Sequence, residues 1–294
     1  MKTGNTTIVK AALLLICALQ FLAFSFIRLE GYVPEQIKGE RVEKEYVRIW
    51  QTLLPDTPLD TSELFITFYN HRRGVNYRVR LPEWGGGGAI GTDSIIIPVN
   101  RSPIMNMDFM QLTSHELVHI IVNRGFGRTY IPRWLHEGLA MVLSGEMPFE
   151  GQRLLSAAAW RGGLLSLDTI EYVNRFDASA AQLAYAQSHA AVLYLIEQYG
   201  IGGIEELLSA AYTRRGFPAA LKTVYGLETL QYEAIVHDFI NSRYRVTFLS
   251  DERLLWSLIV LLAITAIVVT RVRNRKKLRE MEMQERAEVD GGGF

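Results

Sequence analysis

Two long apolar stretches stand out from an otherwise mixed pattern of hydrophobic and polar residues. The first, Ala11 to Ile27, follows Lys2 and Lys10 near the start of the chain. A basic start followed by an apolar run is typical of a signal peptide or an uncleaved N-terminal anchor, and the small residues Ala23 and Ser25 permit cleavage. This stretch therefore predicts a membrane-targeting segment over residues 1–28, with its N-terminus in the cytoplasm.

The second apolar stretch runs from Leu254 to Thr270, and its 17 residues are close to the shortest length that spans about 30 Å of hydrocarbon. A buried helix of a soluble protein is the alternative. Six cations follow within nine residues: Arg271, Arg273, Arg275, Lys276, Lys277 and Arg279. Because Lys and Arg accumulate on the cytoplasmic side of membranes, these cations favour a transmembrane helix that ends in the cytoplasm.

These signals predict a chain of four parts. Residues 1–28 form the signal peptide or anchor, 29–252 an extracytoplasmic domain, 253–270 a transmembrane helix, and 271–294 a basic cytoplasmic tail. The tail is short and charged, so we expect no fold of its own, although its cations could contact anionic lipid. The 224 residues of the outer domain are enough for one domain with a sizeable core.

Within residues 29–252 the pattern first favours strands and then helices. A helix with a charged face is expected over 34–54, and strands over 64–69, 77–81 and 93–98. Helical periodicity follows after Pro103 and predicts helices over 107–124, 132–144, 151–162, 179–199, 202–213, 217–225 and 229–245. The fold class is therefore α+β, with a small N-terminal sheet and a mostly helical remainder, flanked by two transmembrane or signal segments.

The glycine run 85–88 precedes the β-branched segment 93–98. No Gly-Lys-Ser/Thr sequence and no following helix accompany it, which excludes a phosphate-binding loop. We interpret 93–98 as an edge strand that could pair with a peptide, and the glycines as a flexible rim beside it or as a plain surface loop.

The composition of the chain limits which partners and which kinds of metal site are possible. The chain has 31 Lys and Arg against 31 Asp and Glu, so no whole-chain excess of positive charge indicates a nucleic-acid partner. Its single cysteine, Cys17, excludes both an intramolecular disulfide framework and a cysteine cage for zinc. Any metal site must use carboxylates and some of the six histidines.

The predicted helix 107–124 contains the segment His115-Glu116-Leu117-Val118-His119. Histidines at positions i and i+4 lie on one face of a helix, one turn apart, so both imidazoles can reach one Zn²⁺. Glu116 lies next to the first histidine and can reach a metal-bound water. This is the arrangement of the zinc metallopeptidases. An ordinary pair of histidines without a metal is the alternative.

A third protein ligand is needed, and Glu137 is the candidate. It lies on the next predicted helix, after a loop that contains Gly125 and Gly127. An antiparallel pair of helices can bring Glu137 to the face that bears the two histidines. His136 is the rival, but its side chain points about 100° away from Glu137 around the helix.

At this point the sequence resembles a known family. His-Glu-x-x-His followed about 18 residues later by Glu is similar to the gluzincin zinc peptidases, which include thermolysin and the large aminopeptidases. The segment Pro132-Arg133-Trp134-Leu135-His136-Glu137-Gly138-Leu139-Ala140 resembles the bacterial peptidase MA-like domains of that clan, and Tyr185-Ala186-Gln187-Ser188 is also similar. The resemblance covers roughly residues 60–245.

The resemblance implies a zincin-like fold, zinc ligation by His115, His119 and Glu137, and hydrolysis by zinc-bound water with Glu116 as general base. In the family a downstream tyrosine or histidine stabilises the oxyanion. Tyr185 and His189, at i and i+4 on one predicted helix, are the candidates, although both could merely pack.

The sequence departs from the family at one position. Many members have an aspartate one turn after the glutamate ligand, where it orients a ligand histidine. Here that residue is Met141, and Asn123 or a backbone carbonyl could take over.

The sequence therefore predicts a membrane-anchored zinc metallopeptidase, an endopeptidase in a bacterial cell membrane, with peptides or proteins as substrates and lipid as neighbour. It gives no oligomeric state. An intramembrane protease is excluded, because polar residues flank the His-Glu-x-x-His segment. The alternative is a catalytically weak zincin-fold domain that binds peptides or acts as a membrane-tethered scaffold. Met141 allows that alternative, whereas the intact Glu116 argues against it.

Overall fold

The computed structural model describes residues 25–70, 86–100, 108–127, 130–146, 149–214, 216–245 and 252–291. The described chain is α+β: a small sheet comes first, and helices make up most of the rest. The predicted strand 77–81 and most of the first apolar stretch lie outside the described residues.

The sheet has four strands in the spatial order β1-β2-β4-β3. They are β1 (Ile27–Gly31), β2 (Leu64–Tyr69), β3 (Gly88–Ile90) and β4 (Ser94–Pro98). β1 and β4 each pair with β2 in parallel, and β3 pairs with β4 in an antiparallel hairpin.

The interpretation of 93–98 as an edge strand is wrong. β4 lies inside the sheet, between β2 and β3, and Ile95 and Ile97 are fully buried. A β-branched run with a buried face is typical of an interior strand, whereas the glycine-containing strand β3 has little side-chain surface to bury and takes the edge.

β1 begins at the end of the first apolar stretch. Phe26 and Ile27 are buried in the core, and the backbone N–H of Leu64 donates to the carbonyl oxygen of Phe26. The folded domain therefore begins before residue 29. Periodicity could not separate these residues from the apolar run that precedes them, because both are uniformly hydrophobic.

Three helices surround the region where the chemistry is expected. They are α1 (Gly39–Leu53), α2 (Phe109–Phe126) and α3 (Arg133–Ser144), close to the predicted ranges 34–54, 107–124 and 132–144. α2 packs against α1 on one side and α3 on the other. Nearly all of α2 from Met110 to Val122 is buried, so its apolar residues surround the helix instead of forming one stripe.

Five further helices of the described chain complete the domain, and the longest of them packs against α3 and most of the others. They are α4 (Phe149–Arg161), α5 (Leu167–Ile170), α6 (Ala178–Arg214), α7 (Phe217–Tyr225) and α8 (Thr229–Tyr244), with a 3₁₀ turn at Val173–Arg175. α6 is two helices joined at Gly200, whose positive φ of 72° breaks the helical run between the two predicted segments. α3 packs closely on α6 at Gly138. Glycine is needed there, because a Cβ would overlap the carbonyl oxygen of Ser188.

A long last helix, α9 (Glu252–Gly291), follows the domain. Of the described residues, only this helix is long and apolar enough to cross a membrane, over Trp256–Met283. Its large apolar side chains are exposed, which suits contact with lipid. The tail expected to have no fold of its own continues this helix as far as Gly291. Helix formers such as Glu, Lys, Arg and Met dominate there and extend the apolar segment without a break.

Candidate metal centre

α2 carries the two histidines into the interior of the domain. It begins after Asp108, whose carboxylate accepts a hydrogen bond from the backbone N–H of Gln111 at 2.7 Å. His115 and His119 follow one turn apart, with ring centroids 5.0 Å from each other. Both rings lie on the side of α2 that faces α3, as the spacing predicted.

α3 brings Glu137 against both histidines. Oε2 of Glu137 lies 3.3 Å from Nε2 of His115 and 3.7 Å from Nε2 of His119. Ligand atoms of the three residues all lie within 4.8 Å of one another. Two atoms bound tetrahedrally to one zinc ion at about 2.0–2.1 Å are about 3.4 Å apart, and the separations of 3.3 and 3.7 Å between Glu137 and the two histidines are close to that value.

The electrostatics of the group also favour a cation. Burial lowers the pKa of His115, but Glu146 and Glu137 outweigh that effect and raise its pKa well above the ordinary value. Burial raises the pKa of Glu137, but Arg133 and the two histidines hold it well below the ordinary value. A pocket that attracts a proton so strongly also attracts a metal ion, which would bind with release of that proton.

His136 is outside the group of three and contacts His119 instead. Nδ1 of His136 lies 2.7 Å from Nδ1 of His119, and the two rings stack at 4.9 Å. Burial and the neighbouring His119 lower the pKa of His136 to about 3, so its ring is neutral and can accept a hydrogen bond from the Nδ1–H of His119. His136, the rival ligand in the sequence analysis, therefore contacts Nδ1 of His119, while Nε2 of His119 faces Glu137.

Glu146 holds the other histidine, and sequence reasoning missed it. Its Oε1 lies 2.8 Å from Nδ1 of His115 and accepts a hydrogen bond from the hydroxyl of Ser144 at 2.6 Å. Gly145 ends α3 in the left-handed conformation and turns the chain back, which brings Glu146 to the metal centre. Asn123, proposed for this task, donates to the carbonyl oxygen of Gly91 instead. Glu146, in the loop after α3, thus provides the carboxylate that Met141 lacks.

Glu116 lies beside the group of three with its carboxylate buried. Burial raises its pKa, and the two histidines oppose that shift only in part. The backbone that leads into β3 passes close to this carboxylate. A Cβ on Gly87 would lie 2.9 Å from Oε1 of Glu116. Glycine at position 87 therefore allows the edge of the sheet to approach the carboxylate.

A family model described as the Peptidase MA superfamily matches residues 61–242, which is more than half of the chain and includes the whole candidate centre. The chain belongs to the Peptidase MA superfamily. This confirms the resemblance seen in the sequence. A search among curated proteins returned no match.

Downstream of Glu137 the chain returns to the centre along α6, which packs against α3. Tyr185 lies on α6, and its electrostatic partners are groups of the centre. Burial raises the pKa of Tyr185 well above its ordinary value, Glu137 adds to the shift, and Arg133 partly opposes it. Tyr185 thus lies on the side of α6 that faces Glu137, Arg133 and Glu116.

His189, one turn later on α6, has different surroundings. Only 7% of its surface is exposed, and its buried Nδ1 has no hydrogen-bond partner among the described residues. Burial lowers its pKa to about 4, Glu146 opposes the shift, and Arg243 adds to it. His189 therefore faces the carboxylate that holds His115, and not the group of three itself.

The buried, neutral His189 makes the domain sensitive to acid. The unfolded residue titrates near about 6.5, so between that pH and about 4 the unfolded chain binds more protons and stability falls with falling pH. A pKa of about 4 in the folded chain, against about 6.5 in the unfolded chain, corresponds to roughly 3 kcal/mol. We expect His189→Gln to lose less stability between pH 7 and pH 4 than the parent chain, by up to that amount.

Denaturant unfolding followed by circular dichroism would measure this difference. Both chains are compared with a chelator present, so that metal release contributes to neither. Parallel stability curves for the two chains across this range would show that His189 is not the residue responsible.

Proposed function

We propose that the chain is a membrane-anchored zinc metallopeptidase that hydrolyses internal bonds of peptides or proteins. The observation that carries this proposal is the buried group of His115, His119 and Glu137, at ligand spacing, with the carboxylate of Glu116 beside it. Membership of the Peptidase MA superfamily, whose members are typically zinc-dependent peptidases, supports it.

His115, His119 and Glu137 would hold the metal. Zinc bound there would supply a water of lowered pKa and would polarise the carbonyl of the scissile bond. Glu116 accepts a proton and returns it to the leaving amine, a role for which a pKa above that of an ordinary carboxylate is suited. His136 and Glu146 fix the ring orientations of the two histidines through Nδ1 and leave each Nε2 directed at Glu137.

Tyr185 is the better supported of the two candidates for stabilising the oxyanion. Its pKa depends on Glu137, Arg133 and Glu116, so its hydroxyl shares the centre with the proposed base and one ligand. A tyrosine whose pKa is raised keeps its proton at neutral pH and can donate a hydrogen bond to a developing oxyanion. For His189 we favour a packing role, because its electrostatic partners are Glu146 and Arg243.

The edge of the sheet is the expected template for the substrate. β3 pairs with β4 on one side, and no other described strand pairs with it. An extended peptide could add to this edge by backbone hydrogen bonds. The backbone at Gly87 leads from this edge to Glu116, so an added peptide would run past the proposed base. A peptide that added to this edge and extended past Glu116 in both directions would be cut at an internal bond, as in an endopeptidase.

We place the peptidase domain on the extracytoplasmic side of a bacterial cell membrane. The support is the apolar part of α9 followed by six cations between Arg271 and Arg279, which orient that end toward the cytoplasm. The apolar stretch before Phe26 would be a signal peptide or a second anchor, which shortens the expected segment 1–28, because Phe26 and Ile27 belong to the folded domain. Anionic lipid is the expected neighbour of the cations at the cytoplasmic surface.

The structure weakens the case for a scaffold without catalysis. That alternative rested on Met141, which lacks the carboxylate that orients a ligand histidine. Glu146 provides a carboxylate to Nδ1 of His115 at 2.8 Å from a different part of the chain. Both candidate histidine ligands are thus held, and Glu116 remains in place.

Metal removal tests the proposal directly. We expect the purified full-length chain in detergent to contain about one zinc per chain and to cleave peptides whose termini are both blocked. Prolonged chelation should abolish cleavage, and added Zn²⁺ should restore it. Blocked termini make the assay selective for internal cleavage. A zinc-loaded chain that cleaves neither such peptides nor an unfolded protein would favour the binding domain, and a folded chain that takes up no zinc would contradict the metal site itself.

A further inference from the structure

Arg133 lies at the metal centre, although neither the His-Glu-x-x-His spacing nor its glutamate partner pointed to it. It is the first residue of α3, one turn before Glu137. Its Nε lies 2.7 Å from Oε1 of Glu137. The contact is an ion pair without an aligned hydrogen bond, since this buried Nε has no hydrogen-bond partner among the described residues. A cation is therefore built into the centre beside the position of the metal.

The two oxygens of Glu137 have separate partners. Oε2 faces Nε2 of His115 at 3.3 Å and Nε2 of His119 at 3.7 Å. Oε1 faces Arg133. The carboxylate is thus oriented so that one oxygen is directed at the ligand histidines and the other at the guanidinium.

Other contacts fix Arg133 in this position. Its backbone N–H donates to the carboxylate of Glu171 at 2.9 Å, and its Nη2 donates to Oδ1 of Asn174 at 3.5 Å. It also interacts with Tyr185, which contributes to the raised pKa of the guanidinium after the larger effect of Glu137. The guanidinium thus joins Glu137, a candidate ligand, to Tyr185, the candidate oxyanion donor.

We propose that Arg133 is a positioning residue that keeps Oε1 of Glu137 away from the metal, so that Glu137 ligates through Oε2 alone. This inference rests on the proposed zinc peptidase function. A carboxylate that binds through both oxygens takes two coordination positions, whereas a catalytic zinc needs three protein ligands and an open position. By binding Oε1, Arg133 leaves that position free for water and substrate.

Arginine suits this task better than lysine. Its planar fork can face Glu137 with Nε while the terminal nitrogens reach Asn174 and Tyr185. A lysine ammonium is a compact point charge and cannot serve several partners in fixed directions.

Cobalt substitution tests the inference, because the visible spectrum of Co²⁺ reports coordination number independently of turnover. The full-length chain in detergent is loaded with Co²⁺ as parent, as Arg133→Gln and as Arg133→Lys. Arg175→Gln is the matched control, since the Arg175 guanidinium lies 5.2 Å from the ring centroid of Tyr172 and forms no ion pair with the candidate ligands. Circular dichroism confirms that each chain is folded.

We expect the parent and Arg175→Gln to show the intense visible bands of a four-coordinate site. Arg133→Gln should retain cobalt but show the weaker bands of a higher coordination number. With zinc, its kcat for a blocked peptide should fall about 10–100-fold, as for other residues that orient ligands, with little change in KM. Arg133→Lys, which keeps the charge and loses the fork, should give values between those of the parent and of Arg133→Gln.

Each contrary result has a separate meaning. A folded parent chain that binds no cobalt would overturn the proposed function and this inference with it. Cobalt binding by the parent with an unchanged spectrum and kcat in Arg133→Gln would overturn the inference alone. Loss of helical circular dichroism in Arg133→Gln, with Arg133→Lys equal to the parent, would make Arg133 a residue needed for folding and would also overturn it.

Discussion

Replacing Glu116 by glutamine is expected to abolish most hydrolysis while the metal stays bound. The amide has nearly the same shape as the carboxylate and fits below Gly87 in the same way. It cannot accept a proton at neutral pH, and general acid–base catalysis of this kind contributes roughly 10²–10⁴-fold to the rate. We therefore expect kcat to fall by about that factor with zinc content unchanged, measured by a blocked-peptide assay and by elemental analysis of the same sample.

A second carboxylate provides the control. Glu197 forms a surface ion pair with Arg243 at 2.6 Å, so Glu197→Gln removes a charge away from the centre and should leave both kcat and zinc content unchanged. Turnover near the parental level in Glu116→Gln would remove Glu116 from the mechanism. Loss of zinc in that variant would instead make it a ligand.

Removing the side chain of Glu137 should empty the metal site, whereas removing that of the adjacent His136 should not. Oε2 of Glu137 faces both ligand histidines, so Glu137→Ala takes away one of three protein ligands. His136 contacts His119 through Nδ1, the ring nitrogen that does not face Glu137. Residues that orient a metal ligand in this way contribute about 10–100-fold to metal affinity. Elemental analysis after dialysis against excess zinc should give almost no zinc for Glu137→Ala and nearly the full amount for His136→Ala.

Titration with a competing chelator then separates the two effects. His136→Ala should bind zinc with an affinity reduced by about that factor, because the imidazole of His119 loses its orienting partner. Zinc retained by Glu137→Ala and lost from His136→Ala would exchange the two assignments. Glu137→Ala also leaves Arg133 without its carboxylate partner, which could unfold the chain. Circular dichroism of the helices therefore checks that zinc loss is not caused by unfolding.

Local patterns predicted most helices of the domain closely. The ranges 132–144 and 217–225 agree with α3 and α7 almost residue for residue, because proline at or before the first turn and glycine after the last residue mark their limits. The position of β4 could not be predicted in the same way. Its place inside the sheet depends on the hairpin with β3 and on parallel pairing with β2, which join residues far apart in the sequence.

In the candidate site, too, residues related by local spacing could be predicted, and a residue placed by a turn could not. His115, Glu116 and His119 were predictable because one helical turn relates them, and Glu137 because one short connection returns it. Glu146 was not, since its position depends on the left-handed turn at Gly145 and on the hydroxyl of Ser144. No fixed spacing relates such a residue to the ligand it holds.

The continuous helix α9 separates charge over a long distance. Its 40 residues correspond to about 60 Å, about twice the thickness of the hydrocarbon that its apolar part would cross. The cations up to Arg279 come directly after the apolar part, and five acidic residues between Glu280 and Asp290 follow. Charges in water interact over only about 8 Å at physiological ionic strength. Anionic lipid headgroups would therefore attract the cations next to the apolar part, whereas the acidic end of the helix would lie beyond their reach and remain available to a basic partner.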